Sequence, residues 1–109
     1  MRLAEDGEVL PLGKLAGYTE IRWDPETKAI TGGQIIIQPQ AFAQVSKAEG
    51  VPITNLSTTA HELGHIVGTA RLPLGKVCGE QCAIQFFEKP VRDAAQLPAR
   101  PYVPAIHGP

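Results

Sequence analysis

The sequence predicts a single small α+β domain. A chain of 109 residues can bury one modest hydrophobic core. In the first half, two short stretches rich in β-branched and aromatic residues are separated by a turn signal, which is typical of paired strands. A longer stretch with apolar residues at helical spacing follows them. This order predicts an antiparallel hairpin or meander with a helix packed on it.

The two strands are predicted at residues 18–23 and 34–38. The first, YTEIRW, alternates in polarity, and the second, QIIIQ, is apolar at its centre and stopped by Pro39. Between them, residues 24–28 form a turn signal, since Asp24 can cap the turn through its carboxylate. Extended structure resumes at residues 29–31.

Two helices are predicted after the strands. Residues 40–48 can form a short one that Gly50 ends. The next is placed at residues 55–68, because Thr54 or Asn55 can cap its start and Gly68 accepts the left-handed conformation of a helix end. At about 100° per residue, one apolar stripe falls within about 60° on this helix and is expected to lie on the sheet. Its members are Leu56, Ala60, Leu63 and Val67.

The C-terminal third is less regular. Residues 77–89 fit either a helix or a turn followed by a strand. Residues 90–109 are predicted to be an irregular tail because prolines recur along them. Cys78 and Cys82 are spaced CxxxC, so free thiols, a disulfide and metal contacts all stay open for them.

Composition excludes some partners. The net charge is −1, and the basic residues are scattered, which argues against nucleic acid as the main partner. No apolar run approaches the roughly 20 residues that span a bilayer, so no membrane segment is expected. The first residues, MRLAEDGEVLPLG, lack the uninterrupted apolar stretch of a signal peptide. The site of action in the cell is not predicted.

The chemistry is concentrated in the motif HExxH, formed by His61, Glu62 and His65. Residues i and i+4 lie on one face of a helix, so both imidazoles can reach one Zn²⁺ ion at about 2.0–2.1 Å. The glutamate can then act as a general base toward the attacking water. On the predicted helix the two histidines lie opposite the apolar stripe and are expected to be exposed.

The octapeptide HELGHIVG, residues 61–68, resembles the HExxHxxG signature of metzincin zinc endopeptidases, especially matrixin-like and archaemetzincin-like members. Residues 17–37 look like the strand, turn and strand before the active-site helix of that family, and residues 78–84 resemble its turn beneath the metal, with Ile84 at the methionine position. The resemblance implies a zincin-like domain, a twisted mixed sheet with the active-site helix packed across it. It also implies a peptide or protein substrate, with His61 and His65 as zinc ligands and Glu62 as the catalytic base.

One position departs from the family. The third ligand would fall at Arg71, and a guanidinium has no lone pair to offer a metal. Substitutes for it are Cys78, Glu80, Cys82, Glu88 and His107. A glutamate would match the gluzincin pattern, in which a downstream helix supplies a carboxylate. The remaining alternative is that no third ligand exists. The sequence therefore leaves two functions open, a zinc-dependent peptidase and an inactive zincin-like domain that binds a protein partner.

Overall fold

A computed structural model describes residues 1–5 and 15–101 of the chain. It confirms an α+β fold with a three-stranded mixed sheet in the order β1-β3-β2. Strand β1 spans Arg2–Leu3, β2 spans Gly17–Trp23 and β3 spans Ile30–Ile37. Strand β1 runs parallel to β3, and β2 runs antiparallel to it.

The β2–β3 hairpin forms as predicted. In the turn, the Asp24 carboxylate accepts the backbone N–H of Glu26 at 2.8 Å, which is the side-chain cap expected there. Lys28 has a φ of 64°, a conformation that lets the chain reverse direction. Strand β3 is longer than predicted, and its apolar end, residues 35–37, is buried.

The next two helices lie close to their predicted positions. A 3₁₀ turn, Pro39–Ala41, leads into α1, Phe42–Glu49, and Gly50 ends α1 with a φ of 74°. Helix α2 spans Asn55–Arg71 and begins with a capping box between Thr54 and Ser57. The predicted end of α2 at Gly68 was wrong, because Gly68 is helical and buried against the next segment.

Residues 80–94 form one continuous helical run. It consists of α3, Glu80–Ala83, a π-helical stretch, Ile84–Glu88, and α4, Lys89–Ala94. The helical alternative for residues 77–89 therefore holds over most of that range. The prediction of an irregular tail was wrong for residues 90–94, because Pro90 directly follows the π-helical stretch and the helical run continues through it to Ala94. The rest of the tail to residue 101 has no helix or strand, and residues 102–109 lie outside the described part.

Helix α2 packs with faces other than the predicted one. Leu56 and Leu63 of the apolar stripe are 58% and 47% exposed, whereas His61 is only 4% exposed. The side of α2 that meets the sheet carries Thr58, Glu62 and Ile66; for example, a Cβ on Gly17 would lie 2.8 Å from Cγ of Glu62. The expected exposure of the histidines was therefore wrong.

Two glycines explain how the opposite side of α2 is covered. A Cβ on Gly64 would lie 2.6 Å from Cβ of Phe87, and one on Gly68 would lie 2.5 Å from Sγ of Cys78. Because neither glycine has a side chain, the segment 78–88 can lie directly against α2. The histidines are buried beneath this segment, among polar groups. Of the helices in the described residues, none is both long and apolar enough to cross a membrane.

Candidate metal centre

The two histidines of the motif approach each other through their Nε2 atoms. His61 and His65 are one turn apart on α2, and their Nε2 atoms are 3.2 Å from each other. Their rings meet edge to face, with centroids 4.8 Å apart. The i, i+4 spacing of the motif therefore produces the convergence that the sequence predicts.

Glu80 completes a group of three. It is the first residue of α3, and its Oε2 lies 3.1 Å from Nε2 of His61 while its Oε1 lies 2.9 Å from Nε2 of His65. Each of the three side chains offers one ligand atom, and these atoms lie within 4.8 Å of one another. This cluster of His61, His65 and Glu80 could hold a metal ion.

The other candidates for the third position lie elsewhere or are engaged. Cys78 and Cys82 form a disulfide, so neither offers a thiolate to a metal. Glu88 contacts Nδ1 of His61, on the side of the ring away from the cluster. Arg71 is exposed at the end of α2, and His107 lies outside the described residues.

Each imidazole is held in place by a hydrogen bond at its Nδ1 atom. Nδ1 of His61 lies 2.7 Å from Oε1 of Glu88, and Nδ1 of His65 lies 2.8 Å from the carbonyl oxygen of Cys78. A carbonyl and a carboxylate can only accept, so each Nδ1 carries the proton and donates it. The lone pair of a neutral ring then lies on Nε2, which faces the cluster. Histidines that ligate metals are oriented in this way.

The carboxylates favour positive charge on the cluster. Burial disfavours the charged form of His61, but hydrogen bonds with Glu80 and Glu88 outweigh burial and raise its pKa from 6.5 to about 9. Burial would raise the pKa of Glu80, but hydrogen bonds with both histidines hold it well below its ordinary value. A divalent cation at the same place would be favoured by the same negative field.

Glu62, the predicted base, lies on the sheet side of α2. It is 6% exposed, and its Oε2 accepts a hydrogen bond from the Thr19 hydroxyl of β2 at 2.9 Å. Burial raises the pKa of Glu62, and the nearby histidines offset this only in part. A buried carboxylate with a raised pKa is a common feature of general bases.

Sequence reasoning missed the basic residues behind the site. Glu88 accepts hydrogen bonds from Nε of Arg92 and, at 3.1 Å, from Nη1 of Arg100. Arg100 also donates to Glu49 of α1 at 3.0 Å. The i, i+4 spacing of Glu88 and Arg92 is a pairing signal that was readable once a helix was assumed. The position of Arg100 had no local signal, because it depends on how the irregular segment after α4 folds back.

No protein-family model matches the chain, and no curated protein or solved structure matches it either. The metzincin resemblance therefore rests on the motif and on residues 17–37 and 78–84 of the sequence.

Proposed function

We propose that the chain is a zinc-dependent peptidase in which His61, His65 and Glu80 bind the metal and Glu62 is the general base. The observation that carries the proposal is the convergence of the two Nε2 atoms on the Glu80 carboxylate, with both Nδ1 atoms already hydrogen-bonded. Two imidazoles from an HExxH helix and a carboxylate from a second helix form a zinc site that peptidases commonly use.

The donor set favours zinc. Two imidazoles and one carboxylate, with a fourth position open for water, form a common catalytic zinc site. Tetrahedral ligands at about 2.0–2.1 Å from zinc are separated from one another by about 3.3–3.4 Å. The corresponding separations here are 3.2 Å between the two Nε2 atoms, and 2.9 Å and 3.2 Å from Oε1 of Glu80 to Nε2 of His65 and of His61. A small outward movement of the side chains would therefore admit the ion. With Glu80 as a ligand, the site follows the gluzincin alternative, and Arg71 needs no role in it.

The residues of the chain account for the proton movements of hydrolysis. When bound, zinc polarises the scissile carbonyl and lowers the pKa of the attacking water. Glu62 takes the proton of that water as its oxygen attacks the carbonyl carbon. Glu62 then gives the proton to the leaving amine as the C–N bond breaks, so that water is consumed and one carboxyl and one amino group are formed. Thr19 supports this role by fixing one oxygen of the Glu62 carboxylate.

The proposed substrate is an extended peptide or protein segment. Strand β2 lies at the edge of the sheet that the described residues form, and its Thr19 touches Glu62. A peptide that added to this edge by main-chain hydrogen bonds would run beside α2. Its scissile bond would then lie near both the base and the metal ligands.

The alternative, an inactive domain that binds a protein partner, is favoured by one observation. The Glu62 carboxylate is engaged with Thr19 and buried, as a residue that only joins α2 to the sheet would be. A peptide-cleavage assay distinguishes the two functions. The chain is stripped with a chelator, reloaded with zinc and offered a mixture of unstructured peptides. Zinc-dependent cleavage supports the peptidase, whereas stoichiometric zinc without cleavage favours the binding domain.

A further inference from the structure

The ring of His61 is held at both nitrogens by one helical run. Glu80, at the start of α3, faces Nε2 at 3.1 Å, and Glu88, at the end of the π-helical stretch, faces Nδ1 at 2.7 Å. The two glutamates thus approach the same imidazole from two sides. Only the first belongs to the proposed metal cluster.

The π-helical stretch between the glutamates explains how both reach the same ring. In an uninterrupted α-helix, residues eight apart point about 80° away from each other. The wider π-turn accommodates one additional residue, which brings such a pair to within about 20°, as in an ordinary i, i+7 pair. The π-helical geometry of Ile84–Glu88 therefore aligns Glu88 with Glu80 on the side that faces α2.

Glu88 is itself fixed from behind. It is 1% exposed, and its carboxylate accepts hydrogen bonds from His61, Arg92 and Arg100. Arg92 is fully buried, and Arg100 continues to Glu49 of α1. The carboxylate therefore has little freedom to rotate away from Nδ1 of His61, and two guanidinium groups balance its charge.

We propose that Glu88 is a positioning residue that holds His61 with its Nδ1 protonated and its Nε2 directed at the metal. This rests on the proposed metal site, and it adds a function for a buried carboxylate that the hydrolytic steps do not use. The charge of Glu88 also makes His61 a stronger donor to the metal, because a carboxylate polarises the imidazole that donates to it. Arg92 and Arg100 limit this effect by drawing the same carboxylate toward themselves.

The test compares Glu88→Gln and Glu88→Ala with the wild-type chain. The amide can still accept from Nδ1 but carries no charge, and alanine removes the acceptor. Asp93→Asn is the matched control, since it makes the same carboxylate-to-amide change on the same helical run at an exposed ion pair with Lys89. For each chain, zinc affinity is measured by competition with a chelator. The visible spectrum of the Co²⁺-loaded chain reports the geometry of the ligands, and thermal unfolding of the metal-free chain reports the fold.

The expected result is graded. Zinc affinity should fall about 10–100-fold in Glu88→Ala and less in Glu88→Gln. The cobalt spectrum should change in Glu88→Ala, and Asp93→Asn should match the wild type in every measurement. Equal zinc affinities and cobalt spectra in the wild type and in folded Glu88→Ala would overturn the role of Glu88 alone. A wild-type chain that bound neither ion would overturn the metal site and the role of Glu88 together.

A second variant covers the case in which the Glu88 variants do not fold. Arg100→Gln removes one of the two guanidinium groups that compete with His61 for the Glu88 carboxylate, and Arg100→Lys keeps the positive charge as its control. We expect Arg100→Gln to bind zinc a few-fold more tightly than Arg100→Lys, because Glu88 then polarises His61 more strongly. If a folded Arg100→Gln chain bound zinc more weakly than Arg100→Lys, Arg100 would act only through packing. That result would overturn the proposal.

Discussion

Oε1 of Glu80 lies 2.9 Å from Nε2 of His65 and joins the first turn of α3 to the middle of α2. The contact is part of the metal site proposed above, and it also stabilises the metal-free fold through charge. The pair is shielded from solvent, since the side chain of His65 is 14% exposed and that of Glu80 is 26% exposed. Stability and metal binding therefore depend on the same atoms.

The metal-free protein should lose stability as the pH rises from about 6.5 to about 9. The pKa of His61 is 6.5 in an unfolded chain and about 9 in the folded one. The folded state therefore binds a proton that the unfolded state has released, and this stabilisation is complete below pH 6.5 and lost as the pH passes 9. Each pKa unit corresponds to about 1.4 kcal/mol, so the loss should be about 3–4 kcal/mol.

Urea unfolding in the presence of a chelator, repeated across this pH range, measures the effect. His61→Gln serves as the control because an amide does not titrate there, and its free energy of unfolding should change less with pH. A wild-type chain whose stability rose between pH 6.5 and 9 would contradict the charge arrangement described for the cluster.

Glu62→Gln should remove turnover and leave zinc in place. The amide cannot accept the proton of the attacking water, and general base catalysis is typically worth about 10²–10⁴-fold in rate. Because Glu62 is not among the proposed ligands, zinc content should stay near that of the wild type. Glu20→Gln, an exposed change on β2, is the control for the loss of one acid. Equal cleavage by the wild type and Glu62→Gln would assign the activity to a contaminant and favour the partner-binding alternative.

Gly64→Ala should destabilise the fold and weaken zinc binding together. In an exposed helix interior this change normally stabilises by about 1 kcal/mol. Here the new Cβ would lie 2.6 Å from Cβ of Phe87, so the helical run that carries Glu80 must move away. A net loss of about 1–3 kcal/mol is expected from overpacking.

Gly75→Ala is the control. Its Cβ has open space around it, but Gly75 has a φ of 86°, so the change should cost stability through backbone strain and leave zinc affinity unchanged. Thermal unfolding and chelator competition on both variants check this.

The sequence predicted the parts of the fold that depend on local signals. The strand β2 and the Asp24 turn are each determined by a few neighbouring residues, and both were confirmed. The predicted helix cap at Thr54 or Asn55 is provided by Thr54. Helical periodicity located α2 but selected the wrong buried face. Leu63 is 47% exposed, whereas His61 is buried, because the carboxylates of Glu80 and Glu88, far from it in the sequence, lie against its ring and neutralise its charge.

The sequence predicted the HExxH residues of the site, but it did not single out the third residue of the cluster. Glu80 stood among several candidates, because the segment after α2 has no signal that gives its path back across the helix. That path depends on Gly64 and Gly68, whose missing side chains allow close approach. The sequence predicted the end of α2 at Gly68, whereas the role of Gly68 is to let Cys78 approach the helix.

The most direct test of the proposed site is the zinc content of the purified chain beside that of Glu80→Gln. Equilibrium dialysis against micromolar zinc, followed by elemental analysis, gives the stoichiometry. Glu26→Gln, an exposed acid in the hairpin turn, is the matched control for the loss of one carboxylate. We expect about one zinc per chain in the wild type and in Glu26→Gln, and far less in Glu80→Gln, because two imidazoles alone hold zinc weakly. A wild-type chain without zinc, or a folded Glu80→Gln chain with as much zinc as the wild type, would contradict the proposed metal centre.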